Sequence, residues 1–166
     1  MKKFILLISV IVFTTSCVHA QKQITTLVLL RHAEKGNDGT DDPDLTPEGM
    51  ERANKLSQLL GKTSVDAIYS TSYKRTRNTV SPLAAVKGLE VLPYVAFKVE
   101  EIESMLQKHA GGTVVISGHS NNIPWIANLL MGKEQYKDFG DSDYSTLIIV
   151  SVLEKGKVAK VTWLSY

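Results

Sequence analysis

The chain has 166 residues, of which 43% are hydrophobic and 22% charged, proportions that exclude an intrinsically disordered chain and allow one substantial core. Lys and Arg number 19 and Asp and Glu 17, but two of the lysines, Lys2 and Lys3, belong to an N-terminal leader, so the rest of the chain is formally neutral. This balance disfavours a nucleic-acid-binding protein, which needs an excess of basic residues on one face.

The first twenty residues have the pattern of a secretory signal peptide. Lys2 and Lys3 precede the apolar run 4–13, and a polar stretch then ends at Ala20, a small residue suited to cleavage. The apolar run is too short to span a bilayer, which requires about 20 residues. We predict that residues 1–20 are a signal peptide and that residues 21–166 form a single domain exported to the periplasm.

A second interpretation of the leader concerns Cys17, the only cysteine of the sequence. Thr14, Thr15 and Ser16 before it resemble a lipoprotein signal, with Ser16 as the small residue and Thr14 in place of the usual leucine. In this alternative Cys17 is lipidated and the protein is anchored to a membrane. If cleavage follows Ala20 instead, the mature protein has no cysteine, which excludes disulfides and thiolate chemistry.

The hydrophobic pattern alternates between strands and helices. Residues 24–30 are an apolar, partly β-branched run typical of a buried parallel strand, and Thr46 and Pro47 form a helix start. Pro82 predicts that the second helix kinks or ends near Ser81. Strands are predicted at 24–30, 65–69, 89–95, 113–117, 144–153 and 158–164, and helices at 48–60, 74–86, 99–109 and 123–131. We therefore predict an α/β fold, a three-layer α/β/α sandwich whose mostly parallel sheet has an antiparallel edge.

Three of the predicted strands are followed by residues that can carry chemistry. Arg31 and His32 follow the first strand, Thr71 and Arg75 the second, and His119 the strand at 113–117. Ligands of such sheets bind beyond the carboxyl ends of the strands, so these side chains are expected at one edge. Arginine forks match phosphoryl oxygens, and a neutral imidazole can attack phosphorus and form a covalent intermediate. The pattern indicates phosphoryl transfer.

The same residues resemble the motifs of the histidine phosphatase superfamily, which has the phosphoglycerate-mutase-like fold. The family's Arg-His-Gly-Glu motif is similar to 31–34, with Ala33 in place of glycine. Its Ser-x-x-x-Arg motif is similar to 71–79, with Thr71 in the serine position, and its Gly-His-Ser element is similar to 118–120. Residues 45–49, Leu-Thr-Pro-Glu-Gly, are similar to its helix start.

The resemblance implies a phosphatase that hydrolyses phosphomonoesters or phosphoramidates of small molecules through a phosphohistidine intermediate at His32. It implies that the transferred group is held by Arg31, Arg75 and His119, and that Thr71, Ser120 and Asn121 line the site. It also implies that no metal and no cofactor take part. The chain lacks the insertions of the mutases and is therefore similar to the small phosphatases, phosphohistidine phosphatases included.

The proton donor for the leaving group is left open by the sequence. Glu34 lies two residues after the candidate nucleophile, whereas Glu100 and Glu101 lie in the interval where larger family members carry a glutamate. We favour Glu34, because it is the only one next to the strand end that delivers His32.

Three alternatives to this enzyme class are considered. A protein of the same fold could bind a phosphorylated ligand without catalysis. A serine hydrolase could use Ser120, but no histidine follows His119 in the sequence to act as its base. A hydrolytic metal site could use His32 and His119, but Arg31 and Arg75 would repel the cation.

Overall fold

The computed structural model describes residues 23–166, so the predictions for the leader and Cys17 lie outside the described residues. Six strands form one sheet in the order β3-β2-β4-β1-β5-β6. The first four strands run parallel, and β5 and β6 form an antiparallel hairpin at one side. The strands are β1 (Thr25–Arg31), β2 (Ala67–Ser70), β3 (Val91–Pro93), β4 (Thr113–Gly118), β5 (Thr146–Glu154) and β6 (Val158–Ser165).

Four helices cover the two faces of the sheet. They are α1 (Pro47–Leu60), α2 (Lys74–Lys87), α3 (Val99–Lys108) and α4 (Asn122–Met131). One buried cluster contains residues of α1 and α2, such as Leu56 and Leu83. The other contains residues of α3 and α4, such as Met105 and Ile126. The predicted three-layer α/β/α sandwich with a mostly parallel sheet and an antiparallel edge is therefore confirmed.

Two predicted boundaries differ from the structure. Helix α2 does not end near Ser81 but continues through Pro82 to Lys87, because the buried side chains of Val80 and Leu83 hold it against the sheet. Strand β3 is shorter than predicted, with only three residues. It pairs with β2 alone, and the chain after it leaves the sheet to reach the site described below.

The parallel pairing of β1 with β4 positions the site. The register places Arg31 opposite Gly118, and the backbone N–H of His32 donates to the carbonyl of Gly118 over 2.8 Å, one residue beyond the strand. His32 and His119 therefore leave neighbouring strands side by side. No helix among residues 23–166 is long and apolar enough to cross a membrane.

Candidate active site

A cavity of about 870 Å³ opens where β1, β2 and β4 end, a size typical of small-molecule sites. Seven of the eight site residues predicted from the sequence line it. They are Arg31, His32, Thr71, Arg75, His119, Ser120 and Asn121.

His32 is buried, with 4% of its surface exposed. Its Nδ1 lies 2.7 Å from the carbonyl oxygen of Ala33. Since a carbonyl only accepts hydrogen bonds, Nδ1 must carry the proton in the neutral ring, and Nε2 keeps its lone pair. The Ala33 backbone is itself fixed, because its N–H donates to Thr79 Oγ1 over 2.8 Å. The local structure thus selects the tautomer in which Nε2 can act as a nucleophile.

His119 lies beside His32, with 5.6 Å between the ring centroids. Its Nε2 is 3.0 Å from Thr71 Oγ1, and its backbone N–H donates to Asn122 Oδ1 over 2.6 Å. Asn122 is fully buried, and its Nδ2 donates to the hydroxyl of Tyr94 over 2.7 Å. His119 is therefore oriented both at its ring and at its backbone.

Both histidines are held in the neutral form. The pKa of His32 is lowered to about 4, mainly by burial and in addition by the charges of Arg31 and Arg75 and the neighbouring His119, against the hydrogen bond to Ala33, which raises it. Burial likewise lowers the pKa of His119 to about 4, assisted by Arg75, Arg31 and Lys35. At neutral pH two uncharged imidazoles thus lie among permanent cations, the state that a nitrogen nucleophile requires.

The two arginines are positioned through one arm of each guanidinium group. Arg31 Nη1 donates to the carbonyls of Gly140, Asp141 and Asp143 over 2.8–3.1 Å. Arg75 Nη1 donates to the Asp41 carbonyl over 3.0 Å.

The Nε–H of each arginine, in contrast, is buried and has no hydrogen-bond partner among residues 23–166. Both arginines line the cavity, and two permanent cations at one cavity fit an anion with several oxygens. This arrangement suits a group such as a phosphoryl.

The structure places Glu34, the acid favoured from the sequence, outside the cavity that contains the histidines. Its carboxylate receives three hydrogen bonds from Arg52, at 2.6–3.0 Å, and it does not line the cavity. Burial tends to raise the pKa of Glu34, but the hydrogen bonds and charge of Arg52, a backbone hydrogen bond and the charge of Arg31 together outweigh it and hold the pKa below its ordinary value. A general acid needs a raised pKa. Glu34 therefore anchors the segment after β1 to α1.

The other two candidate acids lie in a neighbouring surface depression. Glu100 and Glu101 share it with Phe97, and neither lines the cavity of the histidines. Among the described residues that line this cavity, Asp141 is the one carboxylic acid, and its side chain is exposed.

Several cavity residues were not predicted from the sequence. Tyr73 lies inside the second motif, and its ring contacts His119 at 5.0 Å and the Arg75 guanidinium at 4.3 Å. Tyr144 contacts the Arg31 guanidinium at 4.4 Å. Lys35 follows the first motif and Ser72 lies inside the second. The remaining ones carry no motif that could have indicated them, because they lie in the loops after β3 and before β5. They are Tyr94, Val95, Ala96, Phe97 and Asp141.

The family model for the histidine phosphatase superfamily (branch 1) matches residues 27–98, from β1 to the loop after β3. This segment contains His32, Arg31 and Arg75. Over these residues the chain is similar to the histidine phosphatase superfamily, as its motifs predict.

A curated relative of the chain is phosphoserine phosphatase 1 of Hydrogenobacter thermophilus, which is 40% identical over 72 residues. The match covers 40% of this chain and 34% of that protein, so the chain spans about a third of the length of the curated relative.

Solved structures share the fold over most of the chain. A mycobacterial glucosyl-3-phosphoglycerate phosphatase has a TM-score of 0.70 at 15% identity and covers 86% of this chain and 99% of its own. A candidate phosphohistidine phosphatase SixA from Nakamurella multipartitia has a TM-score of 0.60 at 24% identity, with coverages of 84% and 94%. The phosphoglycerate-mutase-like fold that the sequence predicts is therefore confirmed.

Proposed function

We propose that the protein hydrolyses phosphomonoesters or phosphoramidates of small molecules through a phosphohistidine intermediate at His32. The observation that carries the proposal is a neutral imidazole whose Nδ1 is bonded to the Ala33 carbonyl, in the same cavity as the two guanidinium groups of Arg31 and Arg75. The names of the relatives, phosphatases of phosphoserine and of glucosyl-3-phosphoglycerate, agree with this reaction class.

The reaction has two displacements. In the first, His32 Nε2 attacks phosphorus, the N–P bond forms, and the bond from phosphorus to the leaving group breaks with its electron pair on the leaving atom. In the second, water attacks the phosphohistidine, the N–P bond breaks, phosphate is released and His32 returns to its neutral form. The covalent intermediate replaces one difficult step by two easier ones.

Arg31, Arg75 and His119 stabilise the charge that develops on the phosphoryl oxygens. The guanidinium groups are fixed by backbone carbonyls before substrate binds, so little reorganisation accompanies the reaction. Thr71 holds the His119 ring, and Ser120 and Asn121 lie beside it in the cavity. We assign these three residues to positioning and substrate contact.

The decisive experiment is labelling of the enzyme during turnover of a ³²P-labelled ester. Wild-type protein should acquire an acid-labile label, and His32→Ala should acquire none, because a methyl group cannot form the N–P bond. His109→Ala is the matched control, since His109 lies outside the cavity and contacts Tyr69. Label in the His32→Ala protein would refute the assignment, and absence of label and turnover in wild type would favour the non-catalytic phospho-ligand-binding alternative.

The departure of the leaving group receives no proton from Glu34, because Arg52 engages its carboxylate. Without a proton donor the rate should fall steeply as the leaving group becomes more basic, from aryl to alkyl phosphates. Asp141→Asn tests the exposed carboxyl at the cavity. A selective loss on alkyl phosphates would make Asp141 the donor, whereas equal rates of variant and wild type on both substrates would show that no carboxyl of the cavity assists.

Export and independence of metals belong to the same proposal. Among residues 23–166, no group of three or more His, Cys, Asp or Glu side chains could hold a metal ion, and we expect turnover to resist chelators.

For export, the mass of protein isolated from its native cell envelope should correspond to a chain starting at Gln21. A mass that starts at Cys17 with acyl chains would support the lipoprotein alternative instead.

A further inference from the structure

The mouth of the cavity is lined by exposed apolar side chains. Tyr73, Val95 and Phe97 are 43%, 51% and 50% exposed, and all three line the cavity that contains the histidines. Large apolar side chains grouped on a surface commonly mark a binding site. Here they adjoin a polar, cationic floor, so one ligand would place a phosphoryl group on the floor and the rest of the molecule against these side chains.

The backbone of Phe97 is strained. Among the described residues it is the only one other than glycine with a positive φ, at 60°, a conformation that is unfavourable for a bulky residue and that glycine would adopt without strain. Half of the side chain is exposed, and its ring packs edge-to-face on Trp125 at 5.4 Å. A large ring therefore occupies a strained position where half of it remains open to the solvent.

Tyr73 places an aromatic surface directly beside the phosphoryl-binding groups. Its ring contacts both the His119 ring and the Arg75 guanidinium. A group bonded to the phosphoryl oxygen would thus leave the floor next to this ring, on the way to Val95 and Phe97 in the same cavity. Aromatic rings pair favourably in offset or edge-to-face geometry, and a planar leaving group suits a wall formed by two such rings.

We propose that the substrates are aryl phosphate monoesters, with Phe97, Val95 and Tyr73 as the residues that recognise the aromatic leaving group. The inference rests on the proposed function, because it names the substrate class of the same site. It agrees with the position of Glu34, since an aryl oxide is a weak base and leaves without a proton more readily than an alkoxide.

Binding of phosphonates tests this recognition separately from the chemistry, because a phosphonate has no leaving group. Calorimetry should show that wild-type protein binds phenylphosphonate about tenfold or more tightly than methylphosphonate, equivalent to about 1.4 kcal/mol. In Phe97→Gly the ratio of the affinities for phenylphosphonate and methylphosphonate should fall towards one. Val86→Ala is the control, because Val86 is an exposed side chain of α2 outside the cavity, and its ratio should equal that of wild type.

Thermal unfolding of the same variants separates recognition from a structural role. Phe97→Gly relieves the left-handed backbone, so its melting temperature should equal or exceed that of wild type. A lower melting temperature with an unchanged binding ratio would assign Phe97 to packing and overturn the inference. Equal affinity of wild type for the phenyl and methyl compounds, or for phenylphosphonate and cyclohexylphosphonate, would also overturn it.

These outcomes are independent of the labelling of His32. A labelled enzyme without the phenyl preference would keep the proposed function and reject the aryl substrates. A phenyl preference without labelling or turnover would reject hydrolysis, and would leave a protein that binds aryl phosphates.

Discussion

At the scale of single residues, the site depends on which nitrogen of each arginine is used. Arg75 Nη1 is bonded to the Asp41 carbonyl, and the residue lines the cavity. Lysine has the same charge but carries its three N–H donors on one flexible nitrogen, and it lacks the planar fork that can hold the loop with one nitrogen and meet a phosphoryl oxygen with another. The guanidinium fork is therefore needed for its shape.

From this geometry we predict that Arg75→Lys lowers kcat/KM for nitrophenyl phosphate by about 10²-fold, the usual effect of removing one preorganised donor. Arg77→Lys is the matched control, because Arg77 is an exposed residue of the same helix that does not line the cavity. Near-wild-type activity of Arg75→Lys would place Arg75 outside the reaction.

For Glu34 we predict a structural effect. Glu34→Gln should lower the free energy of unfolding by about 1–3 kcal/mol, because it leaves the partly buried Arg52 without its carboxylate. Turnover of aryl and alkyl phosphates should fall by the same factor. In a double-mutant cycle with Arg52→Gln the two losses should be less than additive. A loss confined to alkyl phosphates would restore Glu34 as the acid.

The sequence could not reveal the role of Glu34, and the reason is physical. Its nearness to His32 along the chain suggested nearness in space, but its side chain meets Arg52, a partner 18 residues away on α1. His32, His119 and Arg75, in contrast, were predictable, because each follows a strand and parallel strands end at a common edge.

At the scale of elements, the segment after β1 is fixed by the start of α1. Thr46 caps this helix, its Oγ1 accepting from the Gly49 N–H over 3.1 Å, and its own N–H donates to the Glu34 carbonyl over 2.9 Å. A Cβ on Gly49 would lie 2.3 Å from that same carbonyl oxygen. The glycine of the Leu-Thr-Pro-Glu-Gly motif is thus required for the close approach of helix and loop.

We predict that Gly49→Ala destabilises the protein by about 1–3 kcal/mol, as overpacking commonly does, and lowers kcat because the segment that begins with His32 must shift. Chemical denaturation and steady-state kinetics measure the two effects. Gly140→Ala is the control for stability, since a Cβ there meets no atom within 4 Å. If the free energy of unfolding of Gly49→Ala equalled that of wild type, α1 would be able to move away from the Glu34 carbonyl without loss of stability, and the prediction would be wrong.

The element pattern was predictable where burial determines it. Apolar runs and three- to four-residue periodicity indicated every strand and helix, because both faces of the sheet are covered. The loop at 132–145 was not predictable in its position, since Arg31 fixes it through backbone carbonyls, which any sequence provides. Asp141 and Tyr144 reach the cavity through this long-range contact.

At the scale of the whole molecule, folding brings two neutral histidines among cations, and this has a consequence for stability. The pKa of His32 and of His119 falls from 6.5 to about 4 in the native state. Between these values the unfolded chain binds protons that the native protein does not, so the free energy of unfolding must fall as the pH is lowered. Each unit by which the native-state pKa lies below the unfolded-state value corresponds to about 1.4 kcal/mol of the free energy of unfolding.

We therefore predict that the ligand-free protein loses stability as the pH falls from about 6.5 to about 4, with full histidine-linked stability above this range. Carboxylates also titrate at the lower end, so wild type should be compared with His32→Asn, whose amide is uncharged at every pH. Denaturation curves at several pH values should show that the free energy of unfolding of the variant falls less steeply as the pH is lowered, because one of the two histidine contributions is absent. Identical slopes would mean that His32 is protonated equally in both states, and the neutral nucleophile assigned to it here would have to be abandoned.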